Sequence, residues 1–264
     1  MSGPFAARPV RHDRFMDRTL RDVAEVGPFF AVRTGPGETG ADGGGSADHG
    51  PRAHGYRPLA ELYATDPRRA VHPVRERAAD VAGRLGTPEL RVGASLAFQG
   101  LAARLWSVAL GAAVLAGRVP DMAADRVWWN PALSAPNDLW LPHPSALPDS
   151  DDLAGQLAGT VLAGHLVPLH HATREACPVS GGLLWGNAGS ALAGSLRVLH
   201  TWCVARGRTA EARSALDLTA RLFQEPLLSG TGTLDAGDVS FVRRSCCLYY
   251  RVPGGGLCGD CVLR

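Results

Sequence analysis

Apolar residues recur at helical spacing along most of the chain. A first helix is predicted around Asp13 to Val26, and helices follow at 73–86 and 87–117. The second of these opens with Thr87, Pro88 and Glu89, which read as an N-cap and first turn, and it is expected to break near Gly100 or Gly111. Residues 150–176 start at an Asp-rich cap and keep helical spacing, and further helices are expected over 179–206 and 208–225. The pattern changes elsewhere. Residues 34–55 are so rich in Gly, Pro and small polar residues that they predict a loop or linker with no packed element. Val127 to Leu141 carries aromatic and β-branched residues broken by Asn-Pro and Pro-Asn-Asp, the punctuation of a hairpin or of paired short strands. After Gly230 and Gly232 comes a loop-rich tail of Cys, Gly and Arg, too short to build its own core.

The fold class predicted is mainly α with a minor β element (α+β): a helical body followed by a short C-terminal cysteine-rich tail. Three segments are expected: 1–56, an N-terminal helix and Gly-rich loop; 57–230, the helical body; and 231–264, the tail.

Composition narrows the function by exclusion. Against 25 acidic residues stand 27 basic ones, a formal net charge of +2, so no global field draws in nucleic acid or an anionic membrane. The chain contains no Lys and no Ile, which is first a codon-usage effect. It also means that no lysine can serve as phosphate binder, Schiff base or general base. "GPGETGAD" (35–42) has the glycines of a phosphate loop but Ala41 and Asp42 where Lys and Ser/Thr should follow. Neither a Gly-x-Ser-x-Gly elbow nor a Gly-x-Gly-x-x-Gly fingerprint occurs. The N-terminal residues lack the apolar core of a secretory signal. The most apolar run, 105–117, is bracketed by Arg104 and Arg118 and reads as a core helix, not a transmembrane segment. A cytoplasmic location follows as the expectation, and there thiols stay reduced.

That bears on the clearest chemical signal, four cysteines within "RRSCCLYYRVPGGGLCGDC" (243–261) in a chain that has six. Cys246, Cys247, Cys258 and Cys261 form the pattern CC-x10-CxxC. The CxxC end is a metal knuckle, in which a tight turn through Gly259 and Asp260 aims both sulfurs at one site. Vicinal cysteines on an extended strand point to opposite faces, so the backbone must bend there or the two sulfurs must reach different metal atoms. A vicinal disulfide would close a strained ring and is the weakest reading. Four thiolates suit tetrahedral zinc or an iron–sulfur cluster, and the spacing alone serves either. Arg243, Arg244 and Arg251 would offset a net-negative thiolate cluster and tune it, unless they are simply solvated strand ends.

The segment "FVRRSCCLYYRVPGGGLCGDCVL" resembles the C-terminal [2Fe-2S] region of the FhuF-type ferric-siderophore reductases, which carries the same cysteine pattern at the end of the chain. Residues 91–121, "VWWNP" (127–131) and 183–199, with its Trp185-Gly186-Asn187, are similar to the helical body of that family, so the likeness runs from about Arg57 to Arg264. The resemblance implies that Cys246, Cys247, Cys258 and Cys261 ligate a [2Fe-2S] cluster. It implies an oxidoreductase of iron transport that passes one electron to a ferric siderophore in the cytoplasm and releases iron(II). It also implies a soluble or peripheral position at the inner membrane face. With no nicotinamide or flavin motif in the chain, electrons are expected from an external donor such as a ferredoxin or flavin reductase. The alternative is a binding or regulatory protein with a structural four-cysteine zinc site. No nucleic-acid partner is expected, because no helix has a basic face.

Other clusters have blander readings. His165 and His170 lie five apart with Pro168 between them and are expected to be capped or core residues. Cys203 reads as a small buried hydrophobe. Trp128, Trp129 and Trp140 read as core before cleft.

Overall fold

The computed structural model describes residues 13–35, 50–64 and 71–264. The fold is mainly α with a minor β element, as the periodicity predicts. Helices α1 (Arg14–Ala24), α2 (Leu59–Tyr63), α3 (Pro73–Arg84), α4 (Leu90–Ala116), α5 (Leu153–Leu157), α6 (Val167–Ala176), α7 (Gly181–Ala205) and α8 (Thr209–Leu222) form the body. α4 and α7 pack along one another at its centre, with α3, α1 and α8 against them. Most of the Gly-rich stretch predicted over 34–55 lies outside the described residues.

The helix boundaries have local causes. Asp13 caps α1 by accepting from the Phe15 N–H at 2.9 Å, and Asp152 caps α5 by accepting from the Gly155 N–H at 3.1 Å. Thr87 Oγ1 accepts the Glu89 N–H at 3.3 Å, which moves the α4 cap from the expected Thr87 to Glu89. α4 ends at Gly117, whose left-handed φ of 65° closes a bond to the Ala113 carbonyl. From Leu153 to Ala176 the helix runs on through a π-helical stretch, Ala158–Leu166. That wide turn precedes Pro168, whose ring lacks an N–H and crowds the carbonyl of Gly164.

α4 is unbroken over 27 residues, which corrects the break expected near Gly100 or Gly111. Gly111 is there for contact: a Cβ on it would lie 2.8 Å from Val23 and 3.1 Å from Phe30, so its absence lets α1 and the following loop close onto α4. α4 is long and apolar enough to cross a bilayer, and most of its surface is buried against the other helices. Arg104 lies inside the apolar run as well as at its sequence boundary. It is 2% exposed, pairs with Asp138 at 2.8 Å and donates to the carbonyls of Pro28, Phe29, Ala31 and Pro136. A buried guanidinium survives because every face of it is spent on an acceptor.

The 127–141 segment supplies β3 (Trp128–Trp129) and β4 (Leu139–Leu141), paired antiparallel as predicted. β1 (Arg33–Thr34) adds parallel to β4 and β2 (Arg57–Pro58) adds antiparallel to β3, giving a small sheet of order β1-β4-β3-β2. Residues 13–35 of the first segment are therefore built into the body through α1 and β1. Trp129 and Trp140 are buried, and the Trp140 indole N–H bonds to the Gly35 carbonyl at 2.8 Å. A second hairpin, β5 (Gly232–Asp235) with β6 (Ser240–Arg243), leads into the cysteine tail and packs on α7.

His165 is a core residue. Its Nε2 donates to the Met122 carbonyl at 2.5 Å and its Nδ1 accepts from the Tyr63 hydroxyl at 2.8 Å, and burial pushes its pKa down to about 4. A histidine held neutral contributes stability that is full above its unfolded pKa near 6.5 and is lost as the pH falls toward 4. Denaturant unfolding should show a loss of roughly 2 kcal/mol between pH 6.5 and 5, above the carboxylate range. His165→Gln should flatten that slope; an unchanged slope would remove His165 as its origin.

Candidate cluster-binding site

The cysteine tail is fastened to the body by buried polar contacts; all six cysteines are free thiols. α7 presents Gly186, Asn187 and Ser190 toward the tail, with Arg197 two turns on, and α4 contributes Ser95. A Cβ on Gly186 would meet Ser245 Oγ at 2.0 Å and the Arg243 guanidinium at 3.1 Å, so glycine lets the tail backbone approach the helix.

Asn187 sits at the hub. Its Nδ2 donates to the Ser95 carbonyl and Oγ at 2.8 and 2.9 Å, and its Oδ1 accepts from Arg243 at 2.6 Å. The Ser95 hydroxyl donates in turn to the Cys247 carbonyl at 2.7 Å. Asn187, Ser95 and Arg243 are all essentially fully buried. A second anchor is Asp260, inside the CxxC turn: its carboxylate accepts from Ser190 at 2.6 Å and pairs with Arg197 at 3.2 Å. Its carbonyl accepts the Arg243 N–H at 3.1 Å. One buried arginine and one buried aspartate thus hold the two halves of the cysteine pattern on α7.

The cysteines divide by exposure. Cys247 and Cys261 are buried, whereas Cys246 and Cys258 are half-exposed. The backbone bend expected at the vicinal pair falls just beyond it, at Leu248, whose φ of 69° is left-handed and costs a non-glycine residue about 1 kcal/mol. The bend leads into a 3₁₀ turn, Tyr249–Arg251. Amide groups reach the sulfurs: Leu248 N–H donates to Cys246 Sγ at 3.4 Å and Leu263 N–H to Cys261 Sγ at 3.3 Å, each two residues after its cysteine. The Tyr249 amide acts on Cys247 by drawing its pKa down. These are the amide–sulfur bonds that support a thiolate site. Between the two cysteine pairs, Gly255 N–H closes a turn on the Val252 carbonyl.

Cys258 is near enough to Cys247 to help hold its proton on. Burial pushes the Cys247 thiol up to about 11, partly offset by the Tyr249 amide and by the nearby Arg243 charge. Among the described residues no three His, Cys, Asp or Glu side chains stand close enough to hold a metal ion. The physical reason is that thiols do not attract one another, and it is a bound metal that draws such ligands to one point. The donor set nevertheless fits a metal–sulfur group. Four sulfurs share one short tail, backbone amides donate to two of them, and Arg243 carries a buried Nη1 with no hydrogen-bond partner beside Cys247.

The three arginines singled out in the sequence separate. Arg243 is buried beside Cys247. Arg251 is exposed and pairs with Glu89 at 2.7 Å, tying the 3₁₀ turn to the start of α4. Arg244 is exposed and lines a groove with Cys246. Ser95, Asn187, Ser190 and Asp260 were missed as site residues. The available signal was Asp260 between two thiols, together with the Trp-Gly-Asn segment matched without a stated role. His170, expected to be a capped or core residue, is buried and stacks on Trp185 with centroids 4.7 Å apart. Cys177 and Cys203 are buried in the body, Cys203 within the main core.

Removing Asn187 strips Arg243 of its side-chain acceptor and Ser95 of its donor. Asn187→Ala should destabilise the fold by about 3 kcal/mol. Because the buried charge causes most of that cost, adding Arg243→Met should cost less than the sum of the single changes. Urea unfolding of the four-protein cycle checks this; strict additivity would mean that the pair is uncoupled.

Comparison with known proteins gives a match on this tail and a longer one to a curated relative. Residues 243–263 match the family model of the FhuF 2Fe-2S C-terminal domain. The chain is also 29% identical over 112 residues to the ferric siderophore reductase of Escherichia coli (strain K12), a match covering 40% of this chain and 40% of that relative. The segment that Arg243 and Asp260 fasten to α7 is therefore the one that matches the FhuF 2Fe-2S C-terminal domain.

Proposed function

We propose that this protein is a ferric-siderophore reductase that binds a [2Fe-2S] cluster through Cys246, Cys247, Cys258 and Cys261 and acts in the cytoplasm. The observation that carries the reading is the FhuF 2Fe-2S C-terminal domain match over residues 243–263, which contains all four cysteines. When bound, such a cluster supplies one electron per cycle, the number that iron(III) needs to become iron(II). The electron comes from an external one-electron donor, a reduced ferredoxin or a flavin reductase. Siderophore oxygens are hard ligands matched to iron(III), so reduction weakens the complex and lets the metal leave.

The chain's own residues bind, orient and tune. The four thiols lose their protons to become ligands, which for the buried Cys247 requires compensation from Arg243 and the Tyr249 amide. Arg243 sets a fixed positive charge against the ligand set. Asp260 and Asn187 hold the two ligand pairs in register on α7. No nucleophile or general acid is needed, in keeping with a site made of thiols, amides and arginine.

Aerobically purified protein should be red-brown, contain about two iron and two sulfide per chain, and become paramagnetic on one-electron reduction. Changing any of Cys246, Cys247, Cys258 or Cys261 to Ser should sharply lower iron and sulfide content, while Cys177→Ala and Cys203→Ala keep it. Colourless protein with one zinc per chain would overturn the reading in favour of a structural zinc site.

A further inference from the structure

Two separate grooves reach the cysteine tail, one at Cys258 and one at Cys246. The first, of about 400 Å³, lies between α4 and α7 and reaches Cys258, Gly259 and Asp260. Its arginine, Arg197, is already paired with Asp260 at 3.2 Å. The second, of about 640 Å³, is bounded by the first turn of α7, the loop 226–231 and the stretch 244–248, with Cys246 in its wall. Both volumes suit a small molecule. Their charge differs.

In the second groove Arg244 is the one charged side chain among the lining residues, and no carboxylate faces it there. Arg244 is exposed, and its guanidinium makes no hydrogen bond or ion pair with any described residue; only its backbone N–H is engaged, on the Thr231 carbonyl at 2.8 Å. The apolar part of the wall includes Leu183, Leu227 and Trp185. Trp185 is held in place by stacking on His170, with the rings inclined by 17°. The first turn of α7 adds no acidic residue and no side-chain cap. The groove therefore combines an unspent cation, a rigid aromatic and apolar surface, and the half-exposed member of the vicinal cysteine pair.

A ferric chelate of hard oxygen donors has complementary chemistry. Its iron is surrounded by anionic oxygens, its organic frame is partly apolar or aromatic, and its metal must approach a cluster ligand to receive an electron. We propose that the groove beside Cys246 is the docking site for an anionic ferric chelate, with Arg244 meeting the donor oxygens and Trp185 the organic frame. The assignment rests on the reductase reading above. In the transfer one electron reaches iron(III), which becomes iron(II); no covalent bond forms or breaks in the protein, and the external donor is the reductant.

The probe is a trianionic gallium(III) tris-catecholate, which has the charge and shape of the ferric chelate but accepts no electron. Its binding to the cluster-loaded protein is measured by equilibrium dialysis at low and high salt. Arg244→Gln should weaken binding roughly tenfold at low salt and less at high salt, as expected for an exposed charge. Leu227→Glu, which sets a carboxylate at the rim of the same groove on an exposed position, should weaken it as well. Val198→Glu, exposed in the groove at Cys258, should leave it unchanged. Loss of binding in Val198→Glu with retention in Arg244→Gln would overturn the assignment and move the chelate to the Cys258 side. Wild-type affinity in all three variants, with reduced protein still reoxidised by the ferric chelate, would overturn the groove and leave the reductase reading standing. If the wild type bound no gallium chelate and its reduced form were not oxidised by the ferric one, the reductase reading would itself fail.

Discussion

The guanidinium of Arg243 is the contact on which the C-terminal third of the structure depends. It is buried at the end of β6, it donates to Asn187 on α7 and to the Ser245 carbonyl, and its own backbone N–H holds the Asp260 carbonyl. A charge taken out of water at such a site is tolerated only when neighbours replace the lost solvation. That demand recruits Asn187 and, through it, Ser95, whose hydroxyl fixes the Cys247 backbone. One unfavourable burial thereby organises residues from α4, α7 and both halves of the cysteine pattern.

The tail is too short to bury a core of its own, and its cysteines form no disulfides. It borrows rigidity from the α4–α7 pair, the most extensively packed helices of the body. Small residues on α7 matter because a polar network needs short, well-directed bonds, and these need the backbones close together. Gly186 admits Ser245, and Gly189 admits Thr231, which a Cβ would otherwise meet at 2.4 Å. Asp260 completes the arrangement from the other side, so each cysteine pair is anchored through a buried polar residue within or beside it. The anchors are separate from the sulfurs, so the cysteine side chains can turn without the tail leaving the body.

The same geometry divides the surface. Cys247 and Cys261 face the body, while Cys246 and Cys258 face outward into different grooves. The two half-exposed cysteines therefore border two separate grooves. The pairing of Arg197 with Asp260 makes one side close to neutral; the unpaired Arg244 leaves the other positive.

The features that depend only on neighbours along the chain were legible in the sequence. These include the helices over 73–86, 150–176, 179–206 and 208–225, the paired strands around Trp128 and Trp140, and the four-cysteine pattern, because periodicity and ligand spacing are local. The β5–β6 hairpin was hidden, since two four-residue strands among glycines carry too little alternation to stand out. Gly111 looked like a helix breaker and is a packing position, a difference set by Val23 and Phe30, some eighty residues away in the chain. Arg243 and Arg244 were indistinguishable as letters. Arg243 ends β6 with its side chain in the body, while Arg244, just past the strand, has its side chain in solvent. Which of them goes inward was decided by Asn187 and Asp260, and those contacts exist only once α7 and the tail are brought together.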